Sequence, residues 1–453
     1  MKQVIIIISM LFIACTPRLQ RVSIDIPAQY IYAINSDSIN IEREWWKMFK
    51  DTTLNRLIAT ALSQNRDLKV AVSRIEEARA NLTNVRSTYL PSLSFGRDIG
   101  VSGGDEVVQQ YAIEPVVSWE IPLFGSLKQT TTMAKSNIAY AQWQYAGVEL
   151  SLVSEVATTY FTLLQYRRNL DTAIRSAELR GQSAMLIDSL FVYGLASGVN
   201  REQAMNLLYT AQADVPMYER AIRQTLLSLD VLLGQNPDST SYQNLSGDLI
   251  TDYQPLDIPT GIPSDILHRR ADVMSAWLEL CTAASKAKMA RIARFPTFSL
   301  SADGGLVSNK LSKLFSANSW AWSAILSITQ PIYNFSAMKS REKIAIEQYN
   351  QALYSYYQRY LEAVEQVENA LVAISTYREE TTRYKNLIIS NARIAAMTSA
   401  LYNNGLSAYL DVIDAERTLY NSQMEYSNIV ASQYINYINL CKALGGGYKN
   451  SDK

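Results

Sequence analysis

The amino-acid sequence contains one order of motifs twice, and this duplication restricts the fold more than any other feature. A helix start at Asp67 is matched by a similar one at Asp272, an offset of 205 residues, and Gly194 is matched by Gly405, an offset of 211. Because the offset grows slowly along the chain, the two copies share one architecture and differ by small insertions. Each copy is predicted to contain a helix, two strands, a long helix, a glycine turn and a further helix.

The helical segments carry the spacing of coiled coils. The stretch 126–191 has no proline, and a similar stretch follows Asn334. Helices of about 65 residues would be about 100 Å long, which no compact globular domain needs. An earlier seam from Leu57 to Val85, interrupted only by Gln64, predicts one continuous helix there. The longest seam alternates steps of four and three residues, as coiled coils require: Ala139, Trp143, Ala146, Leu150, Val153, Ala157, Tyr160 and Leu164.

Four shorter segments, two in each copy, alternate between apolar and small or hydroxylated residues. Segments of this kind suit a barrel wall with lipid on one side and water on the other, although a sheet packed on helices in a soluble domain would alternate in the same way. The apolar positions are Leu93, Phe95, Ile99 and Val101; Ile113, Val117, Trp119, Ile121 and Leu123; Phe298, Leu300, Ala302 and Leu306; and Trp320, Trp322, Ala324, Leu326 and Ile328.

The number of strands has a physical consequence. Tryptophans near the strand ends favour an aromatic girdle at a membrane interface. Four strands per chain cannot close a barrel, and hydrocarbon does not tolerate open sheet edges. If these strands cross a membrane, several chains must share one barrel.

The N-terminus predicts export and lipidation. Lys2 precedes the apolar run from Val4 to Ala14, which is too short to span a bilayer and is typical of a signal peptide. The run ends in L-F-I-A-C, which resembles a bacterial lipobox, so Cys15 is predicted to carry the lipid. An ordinary secretory signal with an incidental cysteine is the alternative. No other apolar run is long enough to predict a transmembrane helix.

Composition and motifs give no support to an enzyme. Lys+Arg and Asp+Glu both number 42, so no basic face for nucleic acid is indicated. The single histidine, His268, is predicted to be solvated or to cap a helix. Cys281 and Cys441 are predicted to be buried, reduced thiols within helices, so neither a metal nor another cofactor is expected. An envelope enzyme would need a convergent nucleophile, base or metal set, and no such motif is present.

Two stretches carry a resemblance to a known family. They are P-S-D-I-L-H-R-R-A-D-V, from Pro263 to Val273, and Y-N-N-G-L-S-A-Y-L-D-V-I-D-A-E-R-T-L-Y-N, from Tyr402 to Asn421. Together with the duplication, they resemble the TolC-type outer-membrane factors, and in particular the lipoproteins that serve RND efflux pumps. The resemblance implies a mostly α-helical fold with a membrane β-barrel portion. Three chains would form a trimer with a twelve-stranded barrel in the outer membrane and a helical tunnel in the periplasm.

The resemblance also implies a division of the chain into six segments. The segments outside the two repeats would form an equatorial collar around the tunnel. The expected segments are the signal peptide 1–14, a lipid-anchored and equatorial segment 15–51, a first repeat 52–234, an equatorial linker 235–262, a second repeat 263–444 and a C-terminal tail 445–453.

The expected functional residues lie near the two glycine turns. Asp411 and Asp414 match an acidic pair that lines the periplasmic gate of the family, and Tyr402 matches a residue that helps to close it. Ser407 stands where the family has a basic residue. The turns at Gly194 and Gly405 are the expected docking points for a periplasmic adaptor. The alternative is that Asp411 and Asp414 only cap a helix or face solvent.

The resemblance implies transport rather than chemistry. We expect a channel that passively conducts drugs, metals or other small molecules from an inner-membrane RND pump and its adaptor to the exterior, with no cofactor apart from the lipid on Cys15. A type I secretion channel is one alternative. A coiled-coil envelope lipoprotein without a pore is another, although it leaves the four strands unexplained.

Overall fold

A computed structural model describes residues 19–32, 43–103, 108–237, 263–332 and 335–446. Cys15, the predicted signal peptide and most of the 235–262 linker lie outside these residues. The chain forms two compact units. One consists of Met1–Asp25, Ala71–Gln144 and Asp272–Arg359, and the other of Ile26–Val70, Tyr145–Ala271 and Tyr360–Lys453.

The order of helices and strands is the one that the duplication predicts. The two longest helices contain 67 and 69 residues. The first copy consists of α1 (Thr52–Gln64), α2 (Arg66–Ser87), β1 (Ser92–Ser102), β2 (Val108–Ile121), α3 (Ser126–Val192) and α4 (Gly198–Leu232). The second consists of α5 (Ala271–Ile292), β3 (Thr297–Ser308), β4 (Trp320–Thr329), α6 (Phe335–Asn403) and α7 (Tyr409–Ala443). Since β2 ends at Ile121, the prediction that Leu123 belongs to this strand is wrong.

The seam from Leu57 to Val85 does not form one continuous helix, because the helix breaks at Asn65, and the helix start predicted at Asp67 is confirmed by α2. The Asn65 side-chain oxygen accepts hydrogen bonds from the N–H groups of Asp67 at 2.8 Å and Leu68 at 3.2 Å, which caps the start of α2. Its side-chain nitrogen donates to the carbonyl oxygen of Leu232 at 2.9 Å. Asn65 therefore ties the break between α1 and α2 to the end of α4.

In the first copy, the end of α4 and the break between α1 and α2 form a joint, and a glycine completes it. Gly234 has a φ of +70°, and a Cβ atom on it would lie 2.5 Å from the carbonyl oxygen of Gln64. That distance is too short for a side chain, so the backbone after α4 can approach the end of α1 only where a glycine stands.

The second copy repeats the joint with different chemistry. The buried Arg270 donates to the carbonyl oxygen of Ala443 at 2.9 Å and to the Gln366 side chain at 2.8 Å. Gly445 has a φ of +89°, and its Cβ would lie 2.8 Å from the carbonyl oxygen of Arg269. In both copies a side chain at the start of a repeat bonds the last helical carbonyl of that repeat.

The four strands form one antiparallel sheet in the order β1-β2-β3-β4. Within the described residues, β1 and β4 each pair along one side only. The register aligns one row across all four strands, formed by Arg97, Ile113, Leu306 and Trp320.

The register confirms that the two faces of the sheet differ. One face is apolar, and many of its side chains are exposed, as in Leu93 at 73% and Trp322 at 74%. The opposite face carries serines and four carboxylates, those of Asp98, Glu114, Glu120 and Asp303.

Aromatic side chains anchor the segment before α1. Phe49 lies edge-on to Phe161 with 5.1 Å between ring centroids, and Phe161 stacks on Tyr434 at 4.4 Å. Asp51 caps α1 and accepts a hydrogen bond from the buried Tyr160 hydroxyl at 2.7 Å. The segment therefore packs against α3 and α7. Among the described helices, none has the length and hydropathy needed to cross a bilayer.

We expect Gly234→Ala to destabilise the chain more than Gly194→Ala does. Both glycines have a φ of +70°, so both variants incur the same left-handed strain of about 1 kcal/mol. Only at Gly234 does a backbone atom, the Gln64 carbonyl oxygen, occupy the place of the new Cβ. Moving that backbone aside should lower the free energy of unfolding by about 2 kcal/mol more. Thermal unfolding followed by circular dichroism measures the stability of both variants. Equal losses of stability would contradict a close contact between Gly234 and Gln64.

Candidate functional site at the helical turns

Both long helices end in a left-handed glycine. Gly194 between α3 and α4 has a φ of +70°, and Gly405 between α6 and α7 has a φ of +72°. The space around both glycines is open, and each is followed by an exposed leucine, Leu195 at 76% and Leu406 at 73%. The predicted glycine turns are thus confirmed as turns, each with an apolar side chain at its tip.

The turn in the first copy is held by Ser197 and Arg201. The Ser197 hydroxyl accepts a hydrogen bond from the N–H of Asn200 at 3.2 Å and caps α4. Arg201 donates to the Asp188 carboxylate at 2.6 Å, and its guanidinium carbon lies 5.7 Å from the centre of the Phe191 ring. Arg201 therefore links the end of α3 to the start of α4.

The turn in the second copy is held differently. Ala408 stands where the first copy has Ser197, and it has no hydroxyl to cap α7. Instead, the Asp411 carboxylate accepts a hydrogen bond from the N–H of Ala408 at 3.2 Å. Asp414, one turn further on, pairs with Arg417 at 2.8 Å, where both side chains are more than half exposed. Asp411 therefore caps α7, as the alternative to a gate role predicts for it. The carboxylates of Asp411 and Asp414 both remain exposed.

Tyr402 lies at the same turn. Its ring centroid is 5.1 Å from that of Tyr409, and burial raises the pKa of Tyr409 to about 12. Tyr402 also packs against an apolar cluster that joins α3, α4 and α7. The cluster consists of Ala184, Ile187, Ala204, Leu207, Tyr409, Val412 and Ile413. The structure therefore brings Tyr402, Asp411 and Asp414 to one turn.

A buried charge network behind this cluster was not predicted. Arg180 on α3 is 5% exposed and donates to the carbonyl oxygen of Leu207 at 3.1 Å. Its guanidinium carbon lies 4.8 Å from the centre of the Tyr420 ring, and the Tyr420 hydroxyl donates to the Asp214 carboxylate at 2.6 Å. Three helices, α3, α4 and α7, are connected by this network.

Glu416 belongs to the same network. Burial raises the pKa of the Glu416 carboxyl above its usual range, and the charge of Arg180 opposes this rise. Burial also raises the pKa of Tyr420, and its hydrogen bond to Asp214 adds to the effect. No sequence signal marks these residues, because the network depends on contacts between helices rather than on spacing within one helix.

The cysteines and the histidine take no part in this site. Cys441 is buried, as predicted, and burial raises the pKa of its thiol to about 12. Cys281 is only half-buried, so the prediction of a buried thiol is wrong there. His268 is exposed. Among the described residues, no group of three His, Cys, Asp or Glu side chains could hold a metal ion.

Long helices with apolar seams and a four-stranded sheet with one exposed apolar face are features of a membrane-associated transport protein. A family model described as outer membrane efflux protein matches residues 57–235 and 262–446. The chain therefore belongs to the outer membrane efflux protein family.

Named relatives agree with this assignment. Solvent efflux pump outer membrane protein SrpC of Pseudomonas putida is 29% identical over 420 residues, covering 89% of this chain and 87% of SrpC. Probable outer membrane lipoprotein SilC of Salmonella typhimurium is 28% identical over 444 residues, 96% of both chains. Cation efflux system protein CusC of Escherichia coli K12 is 27% identical over 440 residues, 95% of both chains.

Solved structures share the fold. The CmeC outer membrane channel of Campylobacter jejuni superposes with a TM-score of 0.89 at 24% identity, covering 97% of this chain and 96% of CmeC. A structure of CusC, described as forming a transmembrane channel, superposes with a TM-score of 0.83 at 26% identity, covering 95% of this chain and 99% of that chain. The predicted fold class and outer-membrane location are confirmed by these comparisons.

We expect Arg180→Met to destabilise the chain by about 3 kcal/mol, because it leaves the Leu207 carbonyl without its buried donor and removes the positive charge that stabilises the Glu416 carboxylate. The raised pKa of folded Glu416 means that protonation of Glu416 stabilises the folded chain at low pH. This contribution is lost as pH rises through the raised pKa. Without Arg180 that pKa rises further, so the loss of stability should be larger at about pH 8 than at about pH 5.

Thermal unfolding at both pH values measures this effect. Arg175→Met is the matched control, because Arg175 pairs with Asp171 at 2.9 Å with side chains 69% and 44% exposed. Such a pair contributes less than about 1 kcal/mol. A loss that does not change with pH, or equal losses in both variants, would refute the role given to Arg180 and Glu416.

Proposed function

We propose that three copies of this chain form an outer-membrane channel that conducts small molecules delivered by an inner-membrane RND pump and a periplasmic adaptor. The observation that carries the proposal is the open four-stranded sheet with one apolar face. In lipid, the free edges of β1 and β4 must pair with another chain. Three copies supply twelve strands, which is enough to close a barrel around a water-filled lumen.

The chemistry of the sheet supports a lumen on its polar face. Ser92 lies opposite Ser118 in the register, and their hydroxyls are 2.7 Å apart. Asp303 lies opposite Ser323 and accepts a hydrogen bond from its hydroxyl at 2.6 Å. Hydroxyls and carboxylates need water, whereas the exposed leucines and tryptophans of the opposite face suit lipid.

The acidic pair supplies the proposed gate. Asp411 and Asp414 are exposed, one helical turn apart, and follow the α6–α7 turn. Three copies would place six carboxylates in two rings one helical turn apart, and such rings favour cations over anions. Tyr402 would hold the turn against the apolar cluster when the gate is closed.

The two turns are the proposed docking points for the adaptor. Gly194 and Gly405 create the tips, and the exposed Leu195 and Leu406 provide apolar contacts to a partner. Ser407 offers no charge for a salt bridge, so closure at the second turn would depend on the Tyr402 contact.

The collar is proposed to include the described parts of segment 15–51. The N–H groups of Ile31 and Tyr32 donate to the Glu368 carboxylate at 2.7 Å and 3.2 Å. The aromatic packing around Phe49 attaches the same segment to α3 and α7. We infer that this segment wraps the helices of one copy instead of forming a separate domain.

Planar bilayer recordings of the purified protein test the channel itself. We expect discrete conductance steps from a species with the mass of three chains. A protein that binds membranes but never conducts would favour the coiled-coil lipoprotein without a pore.

Asp411→Asn combined with Asp414→Asn tests the gate. Asparagine keeps an oxygen that can still cap α7, so the variant removes charge without removing the helix cap. We expect lower cation selectivity, seen as a reversal potential closer to zero in a salt gradient, and weaker block by multivalent cations. Glu379→Gln, which removes an exposed carboxylate elsewhere on α6, is the control. Unchanged selectivity in the double variant would exclude the ring as the filter.

Lipidation at Cys15 is tested by mass spectrometry of the mature N-terminus. We expect a lipid-modified cysteine as the first residue, and Cys15→Ser should abolish the modification. A mature chain that begins elsewhere, or an unmodified Cys15, would mean that the signal peptide is an ordinary secretory one.

A further inference from the structure

One basic residue lies on the apolar face of the sheet. The register pairs Arg97 with Ile113 and places it between Phe95 and Ile99 along β1, on the face that carries the exposed apolar side chains. Its neighbour Asp98 points to the opposite face, which holds the four carboxylates. The charges of the sheet are therefore divided, with the base on the face proposed to contact lipid and the acids on the face proposed to line the lumen.

Arg97 has no ionic partner in the described part of the chain. Its side chain is exposed, and no described carboxylate of the sheet shares its face. A guanidinium on a lipid-facing surface is tolerated near the membrane interface and penalised at the centre of the bilayer. Because no carboxylate of the described sheet residues lies on this face, an anion at the level of the lipid headgroups would stabilise Arg97.

The register places Arg97 level with an aromatic residue of the kind found at membrane interfaces. Its row ends at Trp320, which is 65% exposed, and the next row contains Tyr111. Exposed tryptophans and tyrosines collect at the level of the lipid headgroups. Arg97 thus lies where a phosphate group would be within reach.

Two further cations follow the end of β3, which lies two residues beyond Leu306 of the Arg97 row. Lys310 and Lys313 lie in the connection between β3 and β4, just after Ser308, and both are exposed. Phe315 in the same connection is 77% exposed. This end of the apolar face combines positive charge with exposed aromatic side chains, and a lipid with a phosphate headgroup presents the complementary surface.

We propose that Arg97, Lys310 and Lys313 form a binding surface for the phosphate of an anionic lipid in the outer leaflet, with Trp320 beside its acyl chains. The forked guanidinium of Arg97 can bind two phosphate oxygens, and the lysines add charge at the headgroup level. This inference rests on the proposed function, because the β1–β2 and β3–β4 turns face outward only if the helices are periplasmic.

The test measures lipid retained by the trimer in phosphatidylcholine nanodiscs prepared with or without lipid A. Native mass spectrometry counts bound lipid A, and thermal unfolding reports the stabilisation. We expect Arg97→Gln to reduce retention about fivefold, and the triple variant with Lys310→Gln and Lys313→Gln to reduce it further. Asp98→Asn, the adjacent change on the opposite face, should leave retention unchanged.

Several results would overturn the proposal. Equal retention by Arg97→Gln would exclude the surface, and so would inorganic phosphate stabilising the trimer as strongly as lipid A. If Arg97→Gln lowers the thermal stability of the trimer equally in nanodiscs with and without lipid A, Arg97 contributes to a contact between copies instead of binding lipid. If the unsubstituted protein neither trimerises nor conducts, the proposed function fails first, and lipid retention by the monomer then shows whether the surface exists independently.

Discussion

The free edges of the four-stranded sheet are the constraint on which the rest of this protein depends. Along β1 and β4, the outer backbone N–H and C=O groups have no partner in the described chain, and hydrocarbon supplies none. A sheet with an exposed apolar face and such edges is stable in an outer membrane only when copies of the chain join edge to edge. The long helices then have to be arranged around the axis that relates those copies, which is why length and seam spacing matter more in them than a globular core.

The two repeats are alike at one end and different at the other. At their joints, Asn65 and Arg270 perform the same task, since each bonds the last carbonyl of its own repeat, and Gly234 and Gly445 permit the same close approach. At their turns, Ser197 caps the first copy, whereas Asp411 caps the second with a carboxylate. The acidic residues also differ in their partners: Asp188 at the first turn is paired with Arg201, whereas the Asp411 carboxylate at the second turn accepts a hydrogen bond from a backbone N–H group. This asymmetry is consistent with the proposal that only the second turn carries the gate.

The network around Arg180 shows how three helices are held together near these turns. A cation over the Tyr420 ring and a short bond from Tyr420 to Asp214 connect α3, α4 and α7 through groups that are costly to leave unpaired. Glu416, whose pKa is raised by burial, makes the network sensitive to protonation. Any movement that separates these helices must first break these polar contacts.

Local patterns in the sequence were sufficient to predict the duplication, the type and order of the helices and strands, the glycine turns and the family. These properties follow from apolar residues that repeat every two residues in strands and every three to four in helices, from glycines and from short motifs. All of these patterns involve residues that are close together in the chain. The tertiary structure alone decided that the break before Asp67 is tied to the end of α4, because the Asn65 side chain bonds the distant Leu232 carbonyl. It also decided the Arg180 network and the alignment of Arg97 with Trp320. These features depend on which distant segments meet, and a period along one segment carries no information about the partner that will face it.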